Sequence, residues 1–250
     1  MTDIYRLADQ MIWITSLFGE VHELCAEYRI EAGETDFSVS TAPADIAFEK
    51  EKSAREAAVA GYPVPSYTDA YLETLAVYRK IAERMPFYDT VLFHGSCVAV
   101  NGEGYLFTAK SGTGKSTHTR LWRKLLGEKA VMVNDDKPLI RINPDGSAVI
   151  YGTPWNGKHR LGSNISVPLK AICLLERSEE NRIEEVSKME VYPRLLQQVY
   201  RPADRQAMQK TLELIDRLQL RFYRLGCNMD LGAAKLSYET MRAEAPVTMQ

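Results

Sequence analysis

Lys110-Ser111-Gly112-Thr113-Gly114-Lys115-Ser116-Thr117 is the stretch that decides the fold. Its glycines let several backbone N–H groups turn toward one anion, since side chains would block the approach and some of these positions need φ > 0. An apolar run at 105–109 (YLFTA) precedes it. A helical pattern follows, with Leu121, Trp122, Leu125 and Leu126 apolar and Gly127 as the stop. Strand, glycine loop and helix in that order are the setting of a phosphate-binding loop, or P-loop, in which the helix N-terminus favours negative charge. On this reading Ser111, Gly112, Thr113, Gly114, Lys115, Ser116 and Thr117 line the phosphates of a nucleotide. Lys115 reaches the β- and γ-phosphates and Ser116 offers its hydroxyl to Mg²⁺. The residue that usually opens such a loop is glycine, and here it is Ala109, so the chain must leave the strand without a left-handed residue there.

Upstream, apolar runs at 91–100 and 105–109 flank Asn101-Gly102-Glu103-Gly104, which predicts a hairpin. Downstream, the short strand Val131-Met132-Val133 runs into Asn134-Asp135-Asp136. A strand-end carboxylate beside a phosphate loop is where Mg²⁺ is held, and two in a row allow one to hold metal while the other takes a proton. A second hairpin is expected around Asn143-Pro144-Asp145-Gly146, a type I turn sequence. Residues 152–166 read as a basic, glycine-rich loop. Its Lys158, His159 and Arg160 either close over phosphates or acceptor, or form a solvated tip. His94-Gly95 lies in the strand before the loop, where a histidine is either catalytic or packed in the core. His118, on the following helix with Arg120, either faces the site or packs.

The rest of the chain frames this centre. Residues 4–16 predict one or two strands, 17–29 a short helix and 36–40 a strand. A charged stretch follows at 49–55, and the breaker cluster Gly61-Tyr62-Pro63-Val64-Pro65 marks a boundary. Ser66 with Asp69 predicts a helix start, and Tyr71, Leu75, Tyr78, Ala82 and Met85 form its core stripe up to Pro86. A strand is expected at 170–175, a helix at 203–219, a strand at 221–225, and a last helix capped by Asp230 with Ala234, Tyr238 and Met241 on one face. The predicted organisation is an acidic α+β appendage over 1–60 and a nucleotide-binding core over 61–250, an α/β (α+β) fold with a mixed, hairpin-rich sheet.

Composition excludes several classes. In 250 residues, 45% are hydrophobic and 26% charged, so neither a disordered chain nor a coiled-coil rod fits. A net charge of −2 gives no reason to expect nucleic acid. No apolar run approaches a membrane span, and no signal-peptide core opens the chain. The 4 cysteines form no CxxC pair, as in a cytoplasmic protein with reduced thiols. Charge is uneven, however. Residues 1–90 hold 8 basic and 16 acidic side chains, and residues 91–170 hold 11 basic and 5 acidic, a basic middle third suited to a polyanionic ligand.

His94-Gly95, Gly102 and Gly104, Ser111-Gly112-Thr113-Gly114-Lys115-Ser116 and Asp135-Asp136 together resemble HPr kinase/phosphorylase. The glycine–lysine run is also similar to that of ATP-dependent phosphoenolpyruvate carboxykinase, which shares that family's core fold. The resemblance covers about a fifth of the chain, residues 91–140. It implies a sheet-rich nucleotide-binding core and ATP- and Mg²⁺-dependent transfer of a phosphoryl group to a serine or threonine hydroxyl of a peptide or protein, with a homo-oligomer as a possible assembly. Carried onto these residues, it implies Lys115 and Ser116 at phosphates and metal, Asp135 as base assisted by His94, and Asp136 as metal ligand. The glycine- and arginine-rich stretch that follows the core in HPr kinases has no counterpart here. The chain therefore looks more like the small HPr-kinase-related proteins linked to peptide modification. A kinase of free serine or a sugar, and a non-catalytic nucleotide sensor, are the rival readings.

Overall fold

The computed structural model describes residues 1–157 and 159–243. Contacts divide the chain into two units, Met1–Tyr88 with Pro202–Lys210, and Asp89–Arg201 with the chain from Thr211 onward. Gly61, at the expected boundary, is the left-handed end of a helix within the first unit.

In the first unit, β1 (Thr2–Leu7) and β2 (Gln10–Thr15) form an antiparallel hairpin. Its turn residues Ala8 and Asp9 have φ of 47° and 63°, the left-handed pair that suits right-twisted strands. After α1 (Glu20–Leu24), β3 (Arg29–Ile30) pairs with β1 and β4 (Phe37–Ser40) lies parallel to β2, giving the order β3-β1-β2-β4. Tyr5, Leu7, Ile12, Ile14, Phe37 and Val39 alternate onto the buried face.

The charged stretch 49–55 proves helical, inside α2 (Pro43–Ala60). Pro43 in its first turn and Gly61 at φ 72° just past its end are its local signals. α3 (Asp69–Arg84) is capped by Thr68 rather than Ser66, with Tyr71 N–H donating to Thr68 Oγ1 at 3.1 Å. Tyr71, expected in the core stripe, is exposed, because the buried face runs through Leu72, Ala76, Val77 and Ile81. Buried Glu73 on the same helix accepts from the Leu17 and Phe18 amides at 2.7 and 2.8 Å.

The second unit carries β5 (Thr90–Leu92), β6 (Ser96–Val100), β7 (Glu103–Thr108), α4 (Lys115–Leu126), β8 (Ala130–Asn134), β9 (Leu139–Ile142) and β10 (Ala148–Tyr151). There follow β11 (Ser166–Arg177), β12 (Arg182–Val186), α5 (Lys188–Gln198), α6 (Arg205–Arg217), β13 (Arg221–Cys227) and α7 (Leu231–Arg242), the unit division passing through α6. Among the described residues the strands form one curled, mixed sheet in the order β5-β9-β10-β11-β7-β6-β8, with β13 beside β11 and β12 beside β13. β11 changes partner along its length. It runs antiparallel to β10 at first, then parallel to β7 and β13, with a register shift between Leu169 and Ala171. The fold is thus mixed α+β.

The expected strand over 91–100 is broken in two. Phe93, His94 and Gly95 give their amides to Pro138, Gln198 and Asp136 carbonyls at 3.1, 2.8 and 2.9 Å instead of to a neighbouring strand. The hairpin that follows turns on Asn101 and Gly102, at φ 53° and 80°.

Period-2 alternation gives β11 two buried faces. Ala171, Cys173 and Leu175 pack with Trp122 of α4 and with Ala234 and Met241 of α7. Ile172 and Leu174 pack with Leu195 of α5 and with Leu214 and Ile215 of α6. Asp230 caps α7, accepting from Ala233 N at 3.0 Å. The four cysteines are unbridged, and among the described residues no helix is long and apolar enough to cross a membrane.

Candidate functional site

β7 delivers the chain into the glycine loop, and Ala109 leaves the strand without a positive φ. Gly112 at φ 78° and Gly114 at φ 128° turn the loop, and a Cβ at either would meet nothing within 4 Å. Backbone conformation, rather than crowding, therefore calls for glycine. α4 begins at once, with Gly114 as its N-cap and no side chain capping it. That leaves first-turn N–H groups available to an acceptor from outside. Lys115 Nζ donates to the Ala109 carbonyl at 3.0 Å, and Arg177, at the end of β11, donates to the Gly112 carbonyl at 2.6 Å. Burial lowers the Lys115 pKa, while Asp136 pulls the other way. Ser111 and Ser116 are exposed, and Thr113 and Thr117 half-buried.

The acidic pair follows β8. Buried Asn134 shapes the turn by accepting from Asp136 N at 2.9 Å and Lys137 N at 2.7 Å, while its amide donates to Thr153 Oγ1 at 3.0 Å. The two carboxylates then diverge. Asp136 Oδ1 lies 3.4 Å from His94 Nε2. Burial raises the Asp136 pKa, but the His94 hydrogen bond and the charges of Lys137 and Lys115 outweigh it and bring the pKa below the ordinary carboxylate value. Asp135 is only 5% exposed, and its Oδ1 accepts from Gly157 N at 2.5 Å. There burial wins over that bond and one from the Leu161 backbone, and the pKa is raised.

The expected pairing of His94 with Asp135 is therefore corrected: His94 stands with Asp136. The cause is the turn after β8: Asn134 holds the Asp136 and Lys137 amides, and Gly95 N bonds the Asp136 carbonyl at 2.9 Å, which sets 94–95 beside residue 136, while Asp135 is held by Gly157 N. His94 Nδ1 lies 2.9 Å from Gln198 Oε1 at the end of α5, so the ring is held at both nitrogens.

Lys115, Asp136 and His94 come together, with the uncapped start of α4 behind Lys115. Arg160 does not join them: among the described residues its side chain makes no hydrogen bond to any of the three. It sits exposed on a turn, at φ 48°, with its N–H donating to the Gly157 carbonyl at 2.9 Å. His159 is exposed beside it, and Lys158 lies outside the described residues. His118 packs in the core, 3.0 Å from Ser237 Oγ and edge-on to Phe107. Arg177 and Gln198 escaped the sequence reading because their partners are 65 and 104 residues away. Asn134 had a local signal, an amide side chain directly before two turn aspartates.

Among the described residues no group of three His, Cys, Asp or Glu side chains could hold a metal unaided. The oxygen groups offered there are the Asp136 carboxylate and, beside Lys115, the exposed Ser116 hydroxyl. Hard oxygen donors of this kind fit Mg²⁺ and do not fit zinc, which takes nitrogen and sulfur ligands.

A family model described as "SynChlorMet cassette protein ScmC" matches residues 67–229. The chain belongs to the ScmC family. The matched stretch takes in the glycine loop, both aspartates, His94, Arg177 and Gln198. No curated protein sequence matches the chain. Among solved structures the fold is similar to the HPr(Ser) kinase/phosphatase from Coxiella burnetii, at 10% identity over 61% of this chain and 99% of that one, with a TM-score of 0.33. A likeness that slight says nothing about activity.

Proposed function

We propose that this chain is an ATP- and Mg²⁺-dependent phosphotransferase that moves the γ-phosphoryl group to a serine or threonine hydroxyl of a peptide or protein. The core is read as P-loop-bearing and HPr-kinase-like, on the motifs quoted above. One observation carries the proposal: an uncapped helix start behind two left-handed glycines, with Lys115, Asp136 and His94 converging in front of it.

In this reading the amides at the start of α4 and the Lys115 ammonium hold the phosphates. Ser116 and Asp136 would hold Mg²⁺, which supplies charge neutralisation on the phosphate oxygens. The acceptor oxygen forms its bond to the γ-phosphorus as the bond to the β,γ-bridging oxygen breaks, and ADP leaves with that electron pair. The hydroxyl proton passes to His94 Nδ1 as the incoming hydroxyl takes the place of Gln198 there, with the Nε2–H held on Asp136.

The purified chain, γ-labelled ATP, Mg²⁺ and a panel of serine- and threonine-bearing peptides, proteins, free serine and sugars make the test. Label on a peptide or protein, with one ADP per transfer, is the expected result. Label on free serine or a sugar alone would replace the acceptor with a metabolite. Tight ATP binding without turnover on any acceptor would replace the kinase with a nucleotide sensor.

A further inference from the structure

Asp135 occupies the place where a catalytic base was expected, yet its carboxylate faces a different piece of chain. Oδ1 accepts from Gly157 N at 2.5 Å, and a second hydrogen bond comes from the Leu161 backbone. Between these two amides Arg160 N–H donates to the Gly157 carbonyl at 2.9 Å. The carboxylate thus holds the backbone on both sides of the exposed His159 and Arg160.

The fit is close on both sides. A Cβ added at Gly157 would lie 3.1 Å from Asp135 Oδ2 and 3.3 Å from Oδ1, tighter than ordinary packing. The surrounding loop is fastened to the same strand end. Asn134 bridges Gly162, Ser163 N donates to the Val133 carbonyl at 3.2 Å, and Thr153 Oγ1 donates to the Lys137 carbonyl at 2.9 Å. A carboxylate with 5% exposure, spent on two backbone amides, is poorly placed to meet an incoming hydroxyl.

We infer that Asp135 is a positioning residue: it ties the backbone at Gly157 and Leu161 to the strand end beside the site, while proton transfer is left to His94. This rests on the phosphotransferase reading, and it replaces the role of base that the sequence suggests for Asp135.

Two measurements test it, one of which needs no activity. Amide hydrogen exchange of the full chain should show the Gly157 and Leu161 N–H groups losing protection at least about tenfold in Asp135→Ala. Asp135→Asn, whose Oδ1 still accepts, should keep most of it. Unchanged exchange in Asp135→Ala overturns the anchor, whether or not the chain is a kinase.

The kinetic arm separates anchor from base. Asp135→Asn should keep at least about a tenth of kcat, whereas loss of a general base costs about 10²–10⁴ in kcat. A fall of about 10³ in kcat for Asp135→Asn, with KM unchanged, overturns the inference. Should the wild-type chain transfer no phosphoryl group to anything, the phosphotransferase reading falls, and the exchange result still decides the anchor.

Discussion

Two loops flank the acidic pair, and they are held in opposite ways. The glycine loop over 109–114 owes its shape to its own backbone. Gly112 and Gly114 have open space around them and left-handed φ values. The loop over 152–163 owes its shape to its neighbours. A Cβ at Gly152 would run into the Ser163 carbonyl oxygen and lie 2.8 Å from that of Val133, and one at Gly162 would collide with the Asn156 side chain. The same residue type answers a torsional demand in one loop and a spatial demand in the other. A torsional demand is local and can be read from a motif, whereas a spatial one exists only once distant backbone has arrived.

The largest effect that would break this contrast lies at the head of α4. Lys115→Ala should reduce phosphoryl transfer by about 10³-fold with the fold intact, checked by steady-state kinetics alongside a melting curve. Retention of transfer would mean that the glycine loop is a turn and nothing more. Next comes the packed loop. Gly152→Ala should cost about 3 kcal/mol or more of stability in a urea titration, because two backbone carbonyls cannot both withdraw from the new methyl group.

The buried flank of α4 gives a pH signature. Ser237 donates its one hydroxyl proton to a carbonyl of its own helix, 2.9 Å to Ala233 or 3.1 Å to Ala234, and accepts from Trp122 Nε1 at 2.8 Å. His118 Nε2, 3.0 Å away, must then be the protonated nitrogen, which leaves Nδ1 buried without a partner. Burial lowers the His118 pKa from 6.5 to about 4. Between those values the unfolded chain binds a proton that the folded chain refuses. Stability is therefore full above about 6.5 and falls as the pH drops toward 4, by at most about 3 kcal/mol. Urea midpoints across that window should show the slope, and His118→Gln should flatten it. The smallest effect sharpens the contrast directly. Gly112→Ala meets no atom and should cost only about 1 kcal/mol, the strain of a left-handed alanine, against the larger loss at Gly152.

What could be read early follows the same division. The hairpin on Asn101-Gly102, the turn at 143–146, the last helix with its Asp230 cap and the glycine loop itself each rest on residues a few positions apart. All stand where their local chemistry puts them. The apolar run 91–100 forms no single strand because its middle is diverted by the carbonyls of residues 136, 138 and 198. The helix over 43–60 hides behind its charges, which find their partners only across space, with Arg79 holding Glu49 at 2.5 Å and Asp45 at 3.3 Å.

From the sequence alone came the glycine loop, the strand before it, the helix after it and the paired aspartates, since φ preferences, hydrophobic period and helix electrostatics act over a single turn of chain. Tertiary structure alone decided which carboxylate meets His94, that Gln198 and Arg177 reach His94 and the glycine loop, and that Asp135 grips the Gly157 and Leu161 backbone. Those facts depend on turns, a helix end and a strand end brought together from positions 22 to 104 residues apart, contacts no local pattern of the sequence can encode.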